Sequence, residues 1–537
     1  MKNRDLSLKS FFEDNTVYTY SGNLLEVHLT DTTLATDPKY LCTYFSPDTI
    51  ALPTAFYLHD VSNVVLDFNG ATLLLHGQIQ PFIVDNCCNV TIRNVTVAYD
   101  RSPYSEFTIL ENDGATMLIQ PKEGFPCRIE NGYLIPYADT WECHSLHKGG
   151  SFLQAFNSHT GKGMGALVVM IGEELDAPET PPAFITKLKV QESSRGIALI
   201  GSNLPAHWTP GTTVVLAHES RQISSVFLCH SQDICISQYR ILNGQGMGLQ
   251  SMCTENITVD GLHLYQDPAS PGIVTNGGDA IHFVASRGNI NICNSTFMGM
   301  TDDALNVHTV FHNIVSCEGT ALRILRNPAC HFLPAHFHKF MVGDEIALYR
   351  GMTLEERSKY TVCSIRVVGD WETELILDRI PDEWEIGDLV ENLTTQPELT
   401  IRDCIFDNAN SHLRIQTRSK VLMENCKCGL PVMFTGDTTY WYESSPVTDV
   451  TVQNCTFTAG GVIKGIPEFV PTDAAPYYHS GIVITDNNFD TAEPLIATGT
   501  TGITFLRNRN SRNEQMHITL KNCGSCETDD FVTQNRQ

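Results

Sequence analysis

Two short segments of the chain carry carboxylates in matching surroundings. Asp279 begins the phrase Asp-Ala-Ile-His-Phe, and Asp303 begins Asp-Ala-Leu-Asn-Val 24 residues later, with Asp302 directly before it. Carboxylates held close together repel, which raises the pKa of at least one and leaves a protonated acid beside ionised neighbours. Hydrolysis of a glycosidic bond depends on that combination. Turn aspartates that cap strands or bind a cation are the alternative, but no acidic motif repeats beyond these three, which favours one local catalytic site.

Polar side chains that suit sugar hydroxyls accompany these carboxylates. His282 and Asn306 hold the same place in the two phrases, and aligning the flanking phrases adds Gln250 before them and Arg414 after them. Sugar hydroxyls need a mixture of donors and acceptors, which such a column provides. The residues predicted to bind substrate are Gln250, His282, Asn306, His308, Arg414 and Gln416. An ordinary solvated face is the alternative for this column. The later segment Tyr440–Glu443 is expected either to stack on a sugar or to pack against an insertion.

The elements that position these residues are predicted from a phrase that recurs along the chain. Two or three β-branched residues are followed by Asn or Asp, two further residues and Phe. The copies place the Asn or Asp at Asn294, Asp403, Asn454 and Asp486. Where nothing intervenes, as from Asp403 to Asn425, the spacing is 22 residues. Such a period, with helical periodicity nearly absent, predicts a right-handed parallel β-helix.

The β-helix explains both the turn residues and the carboxylates. Asn tolerates left-handed backbone angles and can stack on the Asn of the next coil. Adjacent coils lie ~4.8 Å apart, so Asp279 and Asp303 are expected to sit one above the other, with Asp302 aimed at the same site. A β-sandwich is the alternative fold, but its strands have no reason to keep one phrase through so many copies.

Two long segments break the repeat and carry β patterns of their own. Residues 311–398 contain a Gly-Asp turn before apolar residues twice, at Gly343-Asp344 and Gly387-Asp388, which predicts an inserted barrel. A hairpin around Asp113-Gly114 indicates a second inserted β subdomain. The predicted organisation is N-terminal coils over 1–104, an inserted subdomain over 105–222, catalytic coils over 223–310, an inserted barrel over 311–398 and C-terminal coils over 399–537.

Composition excludes several classes of partner. The formal net charge is −26, from 61 acidic and 35 basic residues. This balance argues against nucleic acid and against an anionic membrane surface, both of which attract Lys and Arg. No apolar run reaches the ~18 residues of a membrane helix, and the N-terminus shows no signal peptide. A cytoplasmic protein, or a secreted one whose signal has been removed, is expected. The sequence leaves open whether the protein forms a homodimer.

Neither metal nor another cofactor is predicted. The 18 cysteines include the close pairs Cys87–Cys88, Cys426–Cys428 and Cys523–Cys526, but they form no regular disulfide or zinc framework. His331, His336 and His338 cluster without convincing partner ligands. Most cysteines are expected to act as small buried apolar residues.

The aspartate motifs carry a specific resemblance. Asp279-Ala-Ile-His, together with Thr301-Asp-Asp-Ala-Leu-Asn-Val-His308, resembles glycoside hydrolase family 110, the inverting exo-α-1,3-galactosidases. The resemblance implies a β-helix joined to inserted barrels, catalysis by Asp279, Asp302 and Asp303, and an oligosaccharide substrate ending in α-galactose, as in blood group B and α-Gal glycans. It covers most of the chain.

A more distant likeness is to the polygalacturonases, which also have an Asp followed one coil later by an Asp pair. By analogy with them, Asp302 is expected to be the acid and Asp279 and Asp303 the pair that activates water, although the order of the three along their strands equally allows one of the others to be the acid. This chain has Arg414-Ile-Gln416 where that family has Arg-Ile-Lys, and it lacks their Gly-His-Gly and basic cleft. A polygalacturonase-like or other β-helix glycosidase, a polysaccharide lyase and a non-catalytic glycan-binding β-helix are the competing hypotheses.

Overall fold

The computed structural model describes most of the chain. The described residues are 1–8, 11–36, 52–144, 146, 151–172, 185–218, 223–266, 270, 272–325, 340–351, 353–369, 371–407, 412–438, 441–469, 472 and 476–536. Tyr440 and the cluster of His331, His336 and His338 lie outside them. Among the described residues, the regular secondary structure is strand, apart from one short 3-10 helix at Leu29–Asp31. Among the described residues, no helix has the length and apolar character needed to cross a membrane.

The body of the molecule is a parallel β-helix, which confirms the predicted fold class. The strands of its longest sheet, which runs through the Asn turns, are Lys2–Asp5, Thr16–Thr19, Leu24–His28, Ser62–His76, Cys88–Tyr99, Gln232–Ile241, Glu255–Leu264, Arg287–Cys293, Thr296–Met298, Glu398–Arg402, Ile405–Asp407, Val421–Glu424, Lys427–Cys428, Val450–Gln453, Thr456–Phe457, His479–Thr485, Asn488–Phe489, Thr500–Leu506, Arg509–Asn510 and Cys526–Thr528. The strands of the second parallel sheet, which carries the site, are Leu52–His59, Gln80–Asp85, Val226–Cys229, Leu249–Met252, Ile281–Val284, Leu305–Glu318, Leu413–Ile415, Val432–Phe434, Ile463–Gly465, Leu495–Thr498, His517–Lys521 and Thr533–Arg536, with Thr33–Ala35 antiparallel at its edge.

The recurring phrase stacks in register from coil to coil. Ile290 pairs with Leu399, Val421, Val450 and Ile482 follow in the same column, and all are buried in one continuous core. The Phe positions of the phrase stack as well, with ring centroids 5.0 Å apart for Phe297–Phe406 and 4.6 Å apart for Phe457–Phe489. Because every coil places the same kinds of apolar side chain at the same positions, the core continues along the axis of the β-helix.

The turn residue of the phrase has the left-handed backbone that its chemistry favours. The φ angles are +51° at Asn294, +53° at Asp403, +56° at Asn425 and Asn454, and +59° at Asp486. Asn and Asp visit this region at lower cost than residues with larger side chains. The predicted turn position is therefore confirmed, and it explains why the phrase keeps Asn or Asp there.

Two barrels interrupt the β-helix, and their strands pair antiparallel except for the parallel pair Gly163–Ile171 and Ile185–Ser193 in the first. The first is a closed barrel of Tyr104–Asn112, Thr116–Pro121, Ser151–Phe156, Gly163–Ile171, Ile185–Ser193, Gly196–Ile200 and Thr213–Ala217, beside the hairpin Cys127–Glu130 and Tyr133–Pro136. The second is a closed ring of Leu305–Glu318, Ala321–Leu325, Glu345–Tyr349, Glu356–Val367, Glu372–Leu377 and Leu389–Asn392. Each has its own apolar core, the first around Trp208 and the second around Tyr360.

One strand belongs to both the β-helix and the second barrel. Leu305–Glu318 pairs in parallel with the coils before and after it through its first residues, and antiparallel with barrel strands beyond Phe311. The short strand Glu443–Ser444 returns from a later coil and pairs with Thr309 and Val310 at the point where the strand leaves the β-helix. This junction carries the candidate site.

Candidate active site

Four coils present the predicted polar column on one face of the second parallel sheet. Gln250 pairs with His282, His282 with Asn306, and Asn306 with Arg414, so the register agrees with the sequence alignment. The alternate residues, such as Leu305, are buried in the core, because successive side chains of a strand point to opposite faces. The column therefore faces away from the core.

The carboxylates lie at the start of two of these strands. The Ala280 N–H donates to the Asp303 carbonyl at 2.8 Å, which stacks the segment of Asp279 directly on that of Asp303. The Asp302 carboxylate accepts the N–H of Asp303 at 3.1 Å. Asp279 and Asp303 are buried, whereas Asp302 is partly exposed. The backbone segments of Asp279 and Asp303 thus stack, both side chains are buried, and the Asp302 side chain stands nearer to solvent.

A buried amide holds the irregular segments that precede these strands. The Asn276 Nδ2 group donates to the carbonyls of Gly246 and Asp279, at 2.7 Å each. A side chain at Gly277 would place its Cβ 2.4 Å from the Gln245 carbonyl oxygen, so only glycine permits this close approach of the coils. Asn276 is a site residue that the sequence did not single out, because irregular segments leave no periodic pattern.

The first barrel supports the segments that lead to the aspartates. Gln154 Nε2 donates to the carbonyl of Thr301, next to Asp302, at 2.7 Å. The Glu106 carboxylate accepts the N–H groups of Ile273 and Val274 at 2.9 Å. Both contacts are buried or partly buried, and therefore the barrel fixes the backbone before both coils of the site.

A chain of hydrogen bonds runs from Asp279 through two imidazoles. His282 Nδ1 lies 2.6 Å from Asp279 Oδ2, and His282 Nε2 lies 3.1 Å from His308 Nε2. His308 Nδ1 lies 2.6 Å from the Thr309 carbonyl oxygen. Because a carbonyl only accepts, His308 Nδ1 carries a proton. Burial lowers the pKa of His308 to about 4, so its Nε2 accepts a hydrogen bond from His282.

This order of donors leaves one proton in excess on Asp279 and His282. With Nε2 of His282 donating to His308, its Nδ1 either donates to the Asp279 carboxylate as part of an imidazolium or accepts from a protonated carboxyl. In both arrangements the Asp279–His282 pair holds a proton that a carboxylate beside a neutral imidazole lacks. The pair is therefore able to supply or store a proton.

Glu443 is the second site residue that the sequence did not single out. Its buried carboxylate accepts Asn306 Nδ2 at 3.2 Å and Arg414 Nη1 at 3.0 Å, and its Oε1 lies 3.7 Å from His308 Nε2. Glu443 was part of the segment Tyr440–Glu443, which the sequence marked for its aromatic residues rather than for its carboxylate. Of the described residues in that segment, Tyr442 packs against the apolar cluster around Phe311.

Arg414 links two carboxylates of the site. Its Nε lies 3.8 Å from Asp303 Oδ2, and His412 Nδ1 lies 3.4 Å from Asp303 Oδ1. Although burial opposes its charge, the carboxylates of Glu443 and Asp303 raise the pKa of Arg414 above its usual value. Burial lowers the pKa of His412 to about 4, so that ring is neutral near neutral pH. The fixed positive charge of Arg414 suits Asp303 as an ionised base.

Two predicted binding residues have internal partners. The Gln250 Oε1 atom accepts the Ser224 hydroxyl at 2.6 Å, and Gln416 Nε2 donates to the Glu443 carbonyl at 3.0 Å. Both side chains are buried. The side chains of the site that keep partial exposure are Asp302, His412 and Arg414. A ligand that enters from solvent meets these three first.

Three residues of the site also offer potential metal ligands. One ligand atom each of His282, His308 and Glu443 lie within 4.8 Å of one another. The sequence predicts no metal, because neither the cysteine spacings nor the cluster of His331, His336 and His338 offers a convincing ligand set. The Nε2–Nε2 contact and the bonds to Glu443 also fit a site in which hydrogen bonds, and no metal ion, connect these side chains. A chelation experiment distinguishes the metal site from the hydrogen-bonded one.

Comparison with known proteins gives relatives named alpha-1,3-galactosidase. No protein-family profile matches the chain. The chain is 28% identical over 484 residues to alpha-1,3-galactosidase A of Bacteroides fragilis, covering 85% of this chain and 75% of the relative. It is 26% identical over 513 residues to alpha-1,3-galactosidase B of Bacteroides thetaiotaomicron, covering 88% and 78%. These curated relatives confirm the resemblance to the family 110 enzymes that the aspartate motifs carry.

Solved structures that align with the chain were also found. The surface protein and adhesin PfbA of Streptococcus pneumoniae aligns with 90% of this chain and 87% of its own, at a TM-score of 0.32 and 10% identity. A family 28 exopolygalacturonase of Yersinia enterocolitica aligns with 96% of this chain and 76% of its own, at a TM-score of 0.29 and 9% identity.

Proposed function

We propose that the chain is an exo-acting, inverting glycoside hydrolase that removes terminal α-1,3-linked galactose from glycans such as blood group B and linear α-Gal structures. The observation that carries the proposal is the cluster of Asp279, Asp302 and Asp303 on adjacent coils, with Arg414 beside Asp303. The relatives named α-1,3-galactosidase supply the substrate class. The hydroxyl groups of a neutral sugar fit the mixed donors and acceptors on the face of the sheet that carries the site. No nucleic acid or membrane partner is proposed.

Asp302 is the proposed general acid. It is the carboxylate with partial exposure, so it lies on the side from which the remainder of a glycan extends when its terminal sugar lies beside the two buried carboxylates. Asp279 and Asp303, which are buried on adjacent coils, are proposed to activate the water. Inverting enzymes hold acid and base ~6.5–9.5 Å apart to admit that water. The proposal requires this separation between Asp302 and the two buried carboxylates.

The Asp279–His282 pair is the second candidate for the acid. A neutral His308, whose Nδ1 donates to the Thr309 carbonyl, would leave an excess proton on this pair. In that case Asp303, held beside Arg414 and His412, acts as the base. Both assignments use the same three carboxylates and the same substrate.

Substrate and stereochemistry test the proposal together. The purified chain is incubated with an α-1,3-galactosyl oligosaccharide, with an aryl α-galactoside and, as the control for a uronate-cleaving enzyme, with polygalacturonate. We expect galactose from the first two and no new reducing ends from the third. Proton NMR of a fresh digest should show β-galactose before mutarotation. Initial α-galactose would exclude the inverting mechanism, and cleavage of polygalacturonate alone would replace the proposed substrate.

A further inference from the structure

A second cluster of ligand-type side chains lies on the same sheet, on the coils before the catalytic ones. His59, Asp85 and Cys229 end three neighbouring strands and pair in register, His59 with Asp85 and Asp85 with Cys229. His230 follows Cys229 in a left-handed turn, with φ of +47°. The cluster therefore takes one residue from each coil and a fourth from the turn.

The donor atoms are close enough to share one ion. The Cys229 Sγ atom lies 3.1 Å from His230 Nδ1, and His230 Nδ1 lies 4.0 Å from Asp85 Oδ1. One ligand atom from each of these three residues lies within 4.8 Å of the others. Tetrahedral zinc with its usual bond lengths to sulfur, nitrogen and oxygen separates its ligand atoms by about 3.3–3.6 Å. The observed separations lie on both sides of that range.

The chemistry of the set selects zinc among common cations. A thiolate and an imidazole are soft or borderline ligands, which disfavour Mg²⁺ and Ca²⁺ and favour Zn²⁺. The second oxygen of Asp85 lies 3.2 Å from His59 Nδ1, so His59 orients the carboxylate as an outer partner. Cys229 and Asp85 are buried, while the His230 side chain keeps 16% of its surface exposed and gives access to the site.

The cluster lies too far from the candidate active site to take part in hydrolysis. Met252 and Val284 separate Cys229 from His308 in the same column, about 14 Å along the axis at the spacing of sheet strands. Asp85 precedes the first barrel in the chain and Cys229 follows it. An ion between them would join the two coils that the barrel insertion separates in sequence.

We propose that Asp85, Cys229 and His230 bind one Zn²⁺, with a water or a further group in the fourth position, and that this ion fastens the coil before the first barrel to the coil after it. A buried thiol acting as a nucleophile is disfavoured, because the Cys229 side chain has no surface that a substrate could reach. A ligand that binds only the folded chain stabilises it. Zinc should therefore raise the melting temperature of the full chain without being needed for turnover.

Cobalt substitution tests the site because a thiolate ligand leaves a spectroscopic signature. The full chain is stripped with a chelator under reducing conditions, dialysed and titrated with Co²⁺. One equivalent should produce a sulfur-to-cobalt charge-transfer band with tetrahedral visible bands, and Zn²⁺ should displace it. Cys229→Ser should abolish the charge-transfer band, and Cys523→Ser, which removes a thiol elsewhere, should retain it.

A second variant covers the case in which Cys229→Ser does not fold. His230→Asn keeps a residue that tolerates the left-handed turn and removes the imidazole ligand. It should retain the fold, weaken Co²⁺ and Zn²⁺ binding by at least tenfold and lose the zinc-dependent rise in melting temperature. A cobalt spectrum without the sulfur band would place the ion elsewhere, for example at His282, His308 and Glu443, and would overturn the proposal. Unchanged zinc affinity in His230→Asn would do the same.

Discussion

At the scale of single residues, the candidate site is a largely buried group of side chains in which carboxylates lie beside one arginine and several imidazoles. Arg414 is the cation beside Asp303 and Glu443, and His282 Nδ1 lies 2.6 Å from Asp279 Oδ2. Removing either partner of a buried pair leaves a charge without compensation, and such losses are costly. Substitutions that keep shape and change only charge are therefore the informative ones.

Asp279→Asn, Asp302→Asn and Asp303→Asn should each lower turnover by at least ~10²-fold, because each removes a proposed acid or base. The variant that lacks the acid should recover most of its rate on an aryl galactoside with a highly acidic leaving group, which needs no protonation. Steady-state kinetics on both substrates measure this. Asp403→Asn is the matched control, since its left-handed turn accepts Asn in other coils. Near-normal turnover in two of the three variants would mean that the site lies elsewhere.

Chelation addresses the cluster of His282, His308 and Glu443. We expect turnover to survive EDTA, because Glu443 already binds Arg414 and Asn306 and a proton fills the contact between the imidazoles. The assay should run well below the melting temperature, so that loss of a stabilising ion at Cys229 does not affect it. Activity that disappears with EDTA and returns with zinc would make this cluster a catalytic metal site.

At the scale of elements, the left-handed turn is the feature on which every coil depends. Asn454 has a φ of +56°, and the same angle recurs at Asn425 one coil earlier. Asn454→Ala should lower the free energy of unfolding by about 1–2 kcal/mol, since a Cβ without a compensating polar group is disfavoured there. Asn454→Gly should cost less. Urea unfolding of the three proteins tests this, and equal losses for Ala and Gly would show that the angle is not the cause.

The elements also show which parts of the molecule follow from local sequence. The phrase around Asn294 and Asn454 predicted strands, turn and core together, because each coil repeats the same physical solution. Glu443 reaches the site through pairing with Val310, far away in the chain, and no local pattern records such a contact. Asn276 acts from an irregular segment, where neither period 2 nor period 3.6 applies.

At the scale of the whole molecule, the second barrel adjoins the site through the strand Leu305–Glu318. We propose that residues 311–398 close one end of the cleft and leave room for terminal sugars alone. A labelled linear glycan with a terminal α-1,3-galactose should then release single galactose units from the start of the reaction. Chromatography of early time points measures this, and internal fragments among the first products would contradict the closed end.

Acid should destabilise the molecule through its buried imidazoles. Burial lowers the pKa of His479 to about 3 and those of His308 and His412 to about 4. His479 Nδ1 accepts the Val447 N–H at 3.2 Å, which requires a neutral ring. An unfolded histidine has a pKa of ~6.5. The unfolded chain therefore binds more protons between about pH 6.5 and pH 4, and stability falls as pH falls through that window.

The variant His479→Asn isolates one part of this effect. It should flatten the dependence of the unfolding free energy on pH between 6.5 and 4, because the group that titrates has gone while an amide oxygen can still accept the Val447 N–H. His144→Asn, which changes an exposed imidazole, is the control and should leave the slope unchanged. An unaltered slope in His479→Asn would show that this ring does not contribute.

The strand Leu305–Glu318 also limits how this molecule can be recombined with its relatives. Asn306 and His308, which face the site, and Phe311, which packs in the second barrel's wall, are residues of one uninterrupted strand. In a chimaera that exchanges the barrel by a crossover inside this strand, one half of the strand would come from each parent protein. Each half would then lack the packing neighbours that it has in its own parent. Crossovers before Leu305 avoid that conflict, but they carry Asn306 and His308 along with the barrel. The second barrel and the side chains of Asn306 and His308 can therefore be exchanged only together, as one segment.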